Sequence, residues 1–303
     1  CIRDSTYYKY NIKEGAVSHE PLDEDMKGQD ITGNFFGQTG GNGAAITNRT
    51  DTVFNSWDIG NITGDFIGNY TLGSYSVQGG AIYNSGTIGD ITGDFIGNYD
   101  TSRGSAYGGA IYNENATIGD IIGDFIGNYA SSSNYSDYVY GGAIYNAGNI
   151  GSVSGDLIAN HTSASDLLAL GGAVYTSSDM TFSAGGKVRT ISGNYTEDTK
   201  RGKNYNGLFV YKLSSSLPTI TFDTAGGGAW VINDNIEGGT DNLFSVGYKT
   251  QYNLSFTGDG VLNEDGLTDQ YVAINNDIIN AGEVAVEGTT LRFGCLLYTS
   301  DAA

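Results

Sequence analysis

The chain has almost no cysteine, little proline and few basic residues. Its 303 residues include 2 Cys, 2 Pro and only 14 Lys and Arg, against 34 Asp and Glu, for a formal net charge of -20 at pH 7. Binding to nucleic-acid phosphates or to an anionic membrane surface needs a basic face, so both kinds of partner are disfavoured and no nucleic-acid partner is predicted. An acidic chain that is poor in cysteine is typical of exported bacterial surface proteins.

Both ends of the chain match translations of a transposase adapter used in sequencing libraries. Residues 1–5 read CIRDS and residues 295–300 read CLLYTS, as the two adapter strands would. We therefore predict that residues 1–5 and 295–303 are adapter scars and that the rest is an internal piece of a longer protein. Both cysteines lie in these segments, which excludes disulfides, thiol catalysis and cysteine-ligated zinc from the remainder. No cofactor is predicted.

Glycine is abundant, with 47 residues, and it recurs in repeated words. The first word, GGAIYN, occurs at residues 79–84, 108–113 and 141–146, and returns as GGAVYT at 171–176. The second word is NITGDFIGNY at 61–70, DITGDFIGNY at 90–99, DIIGDFIGNY at 120–129 and SVSGDLIANH at 152–161. The aspartate of the second word recurs after 29, 30 and 32 residues, so the period is near 30.

A period near 30 suits helical and β-solenoids alike, and the residue types decide between them. Each unit has short β-prone runs punctuated by Gly and Asn, and no window of ten glycine-free residues has helical spacing. The sequence therefore predicts an all-β, right-handed, single-stranded parallel β-helix with about 30 residues per coil. Each coil is expected to contain about three short strands and one variable loop.

Equivalent residues of successive coils lie directly above one another, about 4.8 Å apart. Two apolar interior stacks are therefore predicted, together with an asparagine stack at a turn, where Asn tolerates left-handed dihedrals and bonds its neighbours along the stack. The interior stacks are Phe66, Phe95, Phe125 and Leu157, and Ile82, Ile111, Ile144 and Val174. The asparagine stack is Asn69, Asn98, Asn128 and Asn160.

The repeated words divide the chain into segments. Residues 6–29 are a lead-in of uncertain structure, and residues 30–205 are the regular β-helix repeats. Residues 206–294 lack the words but keep strand-like alternation, as in EVAVEGTTLRF, and are predicted to form irregular coils of the same solenoid.

The alternation of Gly-Gly-Ala-[Ile/Val] with Phe-x-x-Asn words resembles the repeats of the chlamydial polymorphic outer membrane proteins. The matching residues are Gly79 to Ile82, Gly108 to Ile111, Gly141 to Ile144 and Gly171 to Val174, with Phe66 to Asn69, Phe95 to Asn98 and Phe125 to Asn128. The last coils, AINNDIINAGEVAVEGTTLRFG, are similar to the closing coils of other Gram-negative autotransporter passengers. The resemblance covers roughly residues 30–294, and the fourth copy departs from it in having Leu157.

The resemblance implies the passenger of a type V secreted protein (an autotransporter) of a Gram-negative bacterium. Such a passenger is exported through its own C-terminal membrane barrel and is displayed at the outer membrane or secreted. The barrel is absent from this piece, which we interpret as truncation. The expected function is that of an adhesin or a display rod, with a host-surface protein or glycan as partner. The variable loops at residues 71–78, 100–107 and 130–140 are the predicted contact points, because loops can vary while coils cannot.

Repeated aspartates suggest calcium, because stacked carboxylates and carbonyls can hold a hard cation. However, the calcium-binding nonapeptide repeat has a far shorter period, so no metal is predicted and exposed aspartates beside a turn are the preferred interpretation. The weak candidates are Asp65, Asp94, Asp124 and Asp156.

A carbohydrate-active β-helix enzyme, either a polysaccharide lyase or a glycosidase, is the alternative function. Its site would need non-repeated groups converging on one face. The residues that break the repeat are His161, Asp156, Lys187 and Arg189, but a single His in place of a surface Tyr is a weak signal, and no enzyme is predicted.

Two tyrosine columns and one basic cluster complete the candidates. The columns would either bind sugars or proteins or stack on one another to stabilise the sheet. They are Tyr83, Tyr112, Tyr145 and Tyr175, and Tyr70, Tyr99 and Tyr129. The basic cluster KRGK at 200–203 is interpreted as a solvated loop, with a processing site or a partner contact as alternatives.

Overall fold

The computed structural model describes residues 8–10, 19–21, 28–40, 42–48, 58–133, 138–165, 168–199, 201–212, 216–239, 252–261 and 269–294. The two predicted adapter segments and most of the lead-in at 6–29 lie outside the described residues. Within the lead-in, Tyr8–Tyr10 pairs with His19–Pro21 in an antiparallel ladder.

The described chain is an all-β parallel solenoid, which confirms the predicted fold class. A regular coil passes through five sheets in turn, here called sheets 1 to 5. Each strand pairs in parallel with the equivalent strand of the next coil; Phe95, for example, lies in register with Phe66 on one side and Phe125 on the other.

Sheets 1, 2 and 3 enclose the main core and run almost the full length of the solenoid. The main strands of sheet 1 are Ile46–Asn48, Ile82–Asn84, Ile111–Ile118, Ile144–Ile150, Val174–Thr176, Asn206–Tyr211, Asn235–Gly239 and Ile278–Ile279, with Asp58–Ile59 and Thr87–Ile88 beside them. Sheet 2 consists of Ile31–Thr32, Ile62–Thr63, Ile91–Thr92, Ile121–Ile122, Val153–Ser154, Met180–Ser183, Thr219–Asp223, Tyr252–Thr257 and Ala281–Glu287. Sheet 3 consists of Phe35–Phe36, Phe66–Ile67, Phe95–Ile96, Phe125–Ile126, Leu157–Ile158, Val188–Ser192, Ala229–Ile232, Tyr271–Ile274 and Thr290–Phe293.

Sheets 4 and 5 form a second, shorter layer. Sheet 4 consists of Thr39–Gly40, Tyr70–Gly73, Tyr99–Ser102, Tyr129–Ser132, His161–Ala164, Tyr195–Asp198 and Gly202–Asn204. Sheet 5 consists of Val77–Gln78, Ala106–Tyr107, Tyr138–Tyr140 and Leu168–Leu170. The last strand of sheet 4 is antiparallel to its neighbour, and this strand ends the sheet.

These two sheets correct the prediction of three strands and a loop. The segments at 71–78, 100–107 and 130–140 contain strands of both sheets. Small side chains, among them Ala106, Ala130 and Val139, form a separate apolar cluster there. Short strands built from Ser, Thr and Ala carry little hydrophobic pattern, so the sequence shows them as loops.

The paired glycines form the corner between sheets 5 and 1, for two different reasons. The first glycine of each pair has a left-handed backbone, as at Gly108 with φ 70°. The second lies against the next coil: a Cβ on Gly109 would come within 2.2 Å of the carbonyl oxygen of Gly142. Because the neighbour is backbone, any side chain would force the coils apart.

Candidate functional site

The predicted interior residues are all fully buried. Phe66, Phe95 and Phe125 stack with ring centroids 4.7 Å apart, and the column continues through Leu157 and Ile191. The second stack, of Ile82, Ile111, Ile144 and Val174, lines the opposite wall from sheet 1. These residues hold the coils in register and are not accessible to a ligand.

The predicted asparagine stack lies at the corner between sheets 3 and 4, and its side chains are fully buried. Oδ1 of Asn98 accepts from both the backbone N–H (3.0 Å) and Nδ2 (2.9 Å) of Asn69, and each copy repeats this bond to the next. Nδ2 of Asn98 also donates to the carbonyl oxygen of Phe66 at 2.8 Å. We call this series, which runs through Asn128, Asn160 and Asn194, the corner ladder.

The left-handed residue of this corner is not asparagine, contrary to the prediction. It is the residue before it: Gly68, Gly97 and Gly127 have φ of 63°, 59° and 63°, and Ala159 has φ 55° in the fourth copy. Glycine takes the strained conformation, which leaves the amide free to point inward and bond along the stack.

The corner ladder ends at Asp234, which no repeated word indicates. Its Oδ2 accepts from the backbone N–H (2.9 Å) and Nδ2 (2.7 Å) of Asn194, and its Oδ1 accepts from the backbone N–H of Gly193 (2.9 Å). A carboxylate only accepts, so it closes a series in which each member donates toward the next. Burial raises the pKa of Asp234, opposed by the hydrogen bonds from Asn194 and Gly193.

A second buried amide ladder, in sheet 1, was not predicted from the sequence. Nδ2 of Asn84 donates to Oδ1 of Asn113 at 2.8 Å, and Nδ2 of Asn113 to Oδ1 of Asn146 at 2.9 Å. It begins at Asn48 and ends at Thr176. The asparagine that ends each GGAIYN word indicates this ladder, because it recurs in the same copies as the core isoleucine of that word.

The candidate calcium aspartates bond to backbone. Oδ1 of Asp65 accepts the backbone N–H of Asp94 at 3.0 Å, and Asp94 bonds Asp124, and Asp124 bonds Asp156, in the same way. These side chains are half-buried. No group of three or more His, Cys, Asp or Glu that could hold a metal ion occurs in the described part of the chain.

The outer tyrosine column of sheet 4 uses its ring faces for stacking. Tyr70, Tyr99, Tyr129, His161 and Tyr195 are stacked with centroids 4.8 to 5.0 Å apart. Nζ of Lys203 lies 3.8 Å from the centroid of the Tyr195 ring. Edges and hydroxyls therefore face outward, whereas a stacked sugar would need an open ring face.

The tyrosine column of sheet 1 is also stacked, and sheet 5 packs beside it. Tyr112 and Tyr145 are 4.8 Å apart, and Tyr140 of sheet 5 stacks on Tyr175 at 4.5 Å. The hydroxyl of Tyr112 donates to Oε2 of Glu114 at 2.5 Å. Burial is the main cause that raises the pKa of Tyr112, and the bond to Glu114 adds to it.

The residues considered for an enzyme are engaged in separate contacts. His161 is stacked within the tyrosine column, and Oδ1 of Asp156 accepts the backbone N–H of Thr190 at 2.7 Å. Arg189 pairs with Asp124 at 3.3 Å. Burial lowers the pKa of His161, while the charges acting on it come from Glu197 and Lys203.

The described residues of the basic cluster, Arg201 to Lys203, are exposed, and Gly202–Asn204 pairs antiparallel with Tyr195–Asp198. Lys200 lies outside the described residues. Nε of Arg201 pairs with Oδ2 of Asp198 at 2.8 Å, and its guanidinium also donates to the carbonyl oxygen of Ala169. Because the carboxylate of Asp198 is only 1% exposed, this pair is part of the structure that closes sheet 4.

One buried carboxyl in the second layer lacks a full set of partners. Asp100 replaces a small or neutral residue in the inner column of sheet 4, where its neighbours in register are Thr71 and Ala130. Oδ1 bonds the Thr71 hydroxyl, but Oδ2 is buried without a hydrogen-bond partner. Burial raises the pKa of Asp100 well above its usual value, and the hydrogen bond from the Thr71 hydroxyl opposes this shift.

In comparisons with known proteins, no family model, no curated protein and no solved structure matches this chain. Among the described residues, no helix is long and apolar enough to cross a membrane. The functional proposal therefore depends on the fold and on the surfaces that the coils leave exposed.

Proposed function

We propose that this chain is part of the passenger of a type V secreted protein and is displayed at the surface of a Gram-negative cell as an adhesin or a structural rod. The supporting observation is that the two words that carry the resemblance have fixed structural roles in every regular coil. GGA[IV] is the corner and first core residue of sheet 1, and FxxN is the core residue of sheet 3 followed by the corner ladder.

A solenoid of this kind suits display, because each coil contacts only its neighbours and length adds reach. This part of the passenger would then act by binding a partner, without catalysis or a cofactor. The partner we propose is a protein or glycan of a host surface.

The proposed contact points lie where the chain turns from sheet 4 to sheet 5. We call these turns the tips. At the first tip, Leu72 near the end of the strand Tyr70–Gly73 is 56% exposed, and Tyr75 in the turn that follows is 86% exposed. A large aromatic side chain standing in solvent is typical of the anchor residues of binding surfaces. We place the primary contact of the proposed adhesin there.

The export proposal is tested by sequencing the natural gene on both sides of the region that encodes residues 6–294. We expect a secretion signal upstream, and downstream a series of amphipathic strands of about ten residues. A reading frame that closes after the solenoid without such strands would refute the autotransporter assignment.

The adhesion proposal is tested with the purified chain on cultured epithelial cells. We expect saturable binding that falls about tenfold in the L72S/Y75S variant, the size of a hot-spot loss of about 1.4 kcal/mol. The matched control is Val261→Ser, because Val261 is also exposed, at 62%, but lies far along the chain. Absence of saturable binding would refute the adhesin function and leave the structural rod. If the chain cleaves a polysaccharide and His161→Ala abolishes that cleavage, the carbohydrate-active enzyme would be the function instead.

A further inference from the structure

The outer side of sheet 3 carries an apolar column that the fold does not need. In the two-residue strands of this sheet the first residue faces the core and the second faces outward. The outward residues, in register, are Phe36, Ile67, Ile96, Ile126 and Ile158. Phe36 is 55% exposed and the isoleucines are half-exposed. A polar residue fits the same outward position of this sheet, as Ser192 does in the next coil.

Two columns of mainly aspartate side chains, with one asparagine in each, accompany this apolar column. One precedes sheet 2 and consists of Asp30, Asn61, Asp90 and Asp120. The other lies between sheets 2 and 3 and consists of Asn34, Asp65, Asp94, Asp124 and Asp156. Asp65 and Ile67 flank the core residue Phe66, and both are half-exposed. We call the outer sides of sheets 2 and 3, with these columns, the acidic face.

The negative charge of these columns is not required by the fold. Apart from Asp120, whose Oδ1 accepts the Ser152 hydroxyl, each member accepts a backbone N–H of the next coil through Oδ1. Asn34 and Asn61 do so as neutral amides. Aspartates stacked about 4.8 Å apart repel one another. Among the described residues, Arg189 is the cation that forms an ion pair with the columns, through Asp124.

We propose that the acidic face docks a basic, amphipathic polypeptide segment of a partner protein. Charge complementarity selects Lys and Arg, whose heads reach the carboxylates while their aliphatic stems cover the isoleucines. The apolar column distinguishes such a segment from a hydrated cation, which gains nothing from isoleucine. The face lies away from the tips that carry Leu72 and Tyr75, and the proposal holds whether or not the chain is exported.

The test uses the purified chain and a fluorescent synthetic peptide of alternating Lys and Leu, with binding measured by anisotropy at several salt concentrations. We expect D65N/D94N and I96S/I126S each to weaken binding about five- to tenfold, as loss of two surface contacts would. Asp65→Asn and Asp94→Asn keep the backbone acceptor, as Asn34 does, so the circular dichroism spectrum is expected to stay unchanged. D65N/D94N should also reduce the salt dependence of binding.

The matched control for charge is D277N/E197Q, which removes two exposed carboxylates outside the acidic face. The control for the apolar change is L72S/Y75S, which removes two exposed side chains away from the acidic face. Both controls are expected to bind within about twofold of the parent chain. Equal weakening by D277N/E197Q would show that only the net charge attracts the peptide and would overturn the proposal. Unchanged binding by I96S/I126S would overturn it as well, because the apolar column would then have no part in docking.

Discussion

Replacing Asn98 with alanine removes one member of the corner ladder and leaves a buried group without a partner. The backbone N–H of Asn69 loses its acceptor, Oδ1 of Asn98. Three further bonds disappear: Nδ2 of Asn98 to Phe66 and to Asn128, and Nδ2 of Asn69 to Asn98. An orphaned buried N–H costs about 1–3 kcal/mol, and each of the other bonds contributes about 0.5–1.5 kcal/mol. We therefore expect Asn98→Ala to lower the free energy of unfolding by about 2.5–7.5 kcal/mol.

The measurement is urea unfolding at pH 7, followed by far-ultraviolet circular dichroism. Asn149→Ala is the matched control, because this asparagine is exposed, and its loss is expected to change the free energy of unfolding by no more than about 0.5 kcal/mol. If Asn98→Ala falls within about 1 kcal/mol of that control, the amide bonds of the ladder are not what stabilises the corner. The same titration of Asn98→Asp adds a sign test: an acceptor-only side chain cannot donate to Phe66, so this variant should be destabilised at pH 7 and partly recover at low pH, where the carboxyl can donate.

Three further predictions concern the core, the buried carboxyl and the glycine corner. Phe95→Ala should lower the free energy of unfolding by about 3–5 kcal/mol. Phe95→Leu should lower it by less than about 1.5 kcal/mol, because Leu157 occupies the same column. Equal losses for the two variants in urea titrations would contradict this packing. Because burial raises the pKa of Asp100 above its unfolded value, its ionised form destabilises the fold at neutral pH and the penalty disappears as pH falls. Asp100→Thr should therefore stabilise the chain by about 1–3 kcal/mol at pH 7 and by less at pH 4, and an equal gain at both would refute the assignment. Gly109→Ala should abolish cooperative thermal unfolding because its Cβ meets backbone, whereas Gly97→Ala should cost only about 1 kcal/mol because the space beside it is open.

The fold class could be predicted because a repeat of constant period places equivalent residues in one column. That reasoning extends to any position inside a repeated word, including the asparagine of GGAIYN, although its buried ladder was overlooked. It fails where structure does not repeat. Asp234 occurs once and is recognisable only from the donors that converge on it. Sheet 5 was missed for another reason: its strands are short and follow small or polar residues such as Ser102, so no hydrophobic period marks them.

The details of the candidate site depended on backbone conformation, which residue type alone leaves open. Both Gly97 and Asn98 suit a left-handed position, and the structure assigns it to Gly97. The outward isoleucines were hidden by their inward neighbours, because a run such as Phe95–Ile96 reads as continuous core unless the strand is known to be two residues long. The acidic face therefore became visible only when the inward and outward columns could be separated.

The carboxylate of Asp234 has a consequence for how this protein can change length. Every Asn of the corner ladder offers the same donors and acceptors to the coil on either side, so a whole coil can be duplicated or excised between any two of them without orphaning a bond. After Asp234 no further amide can be added in the same manner, because the side chain has nothing to donate. The ladder is thus a series that can lengthen between its members and ends at Asp234. Gene duplication can therefore change the length of the solenoid while leaving the coils after Asp234 unchanged.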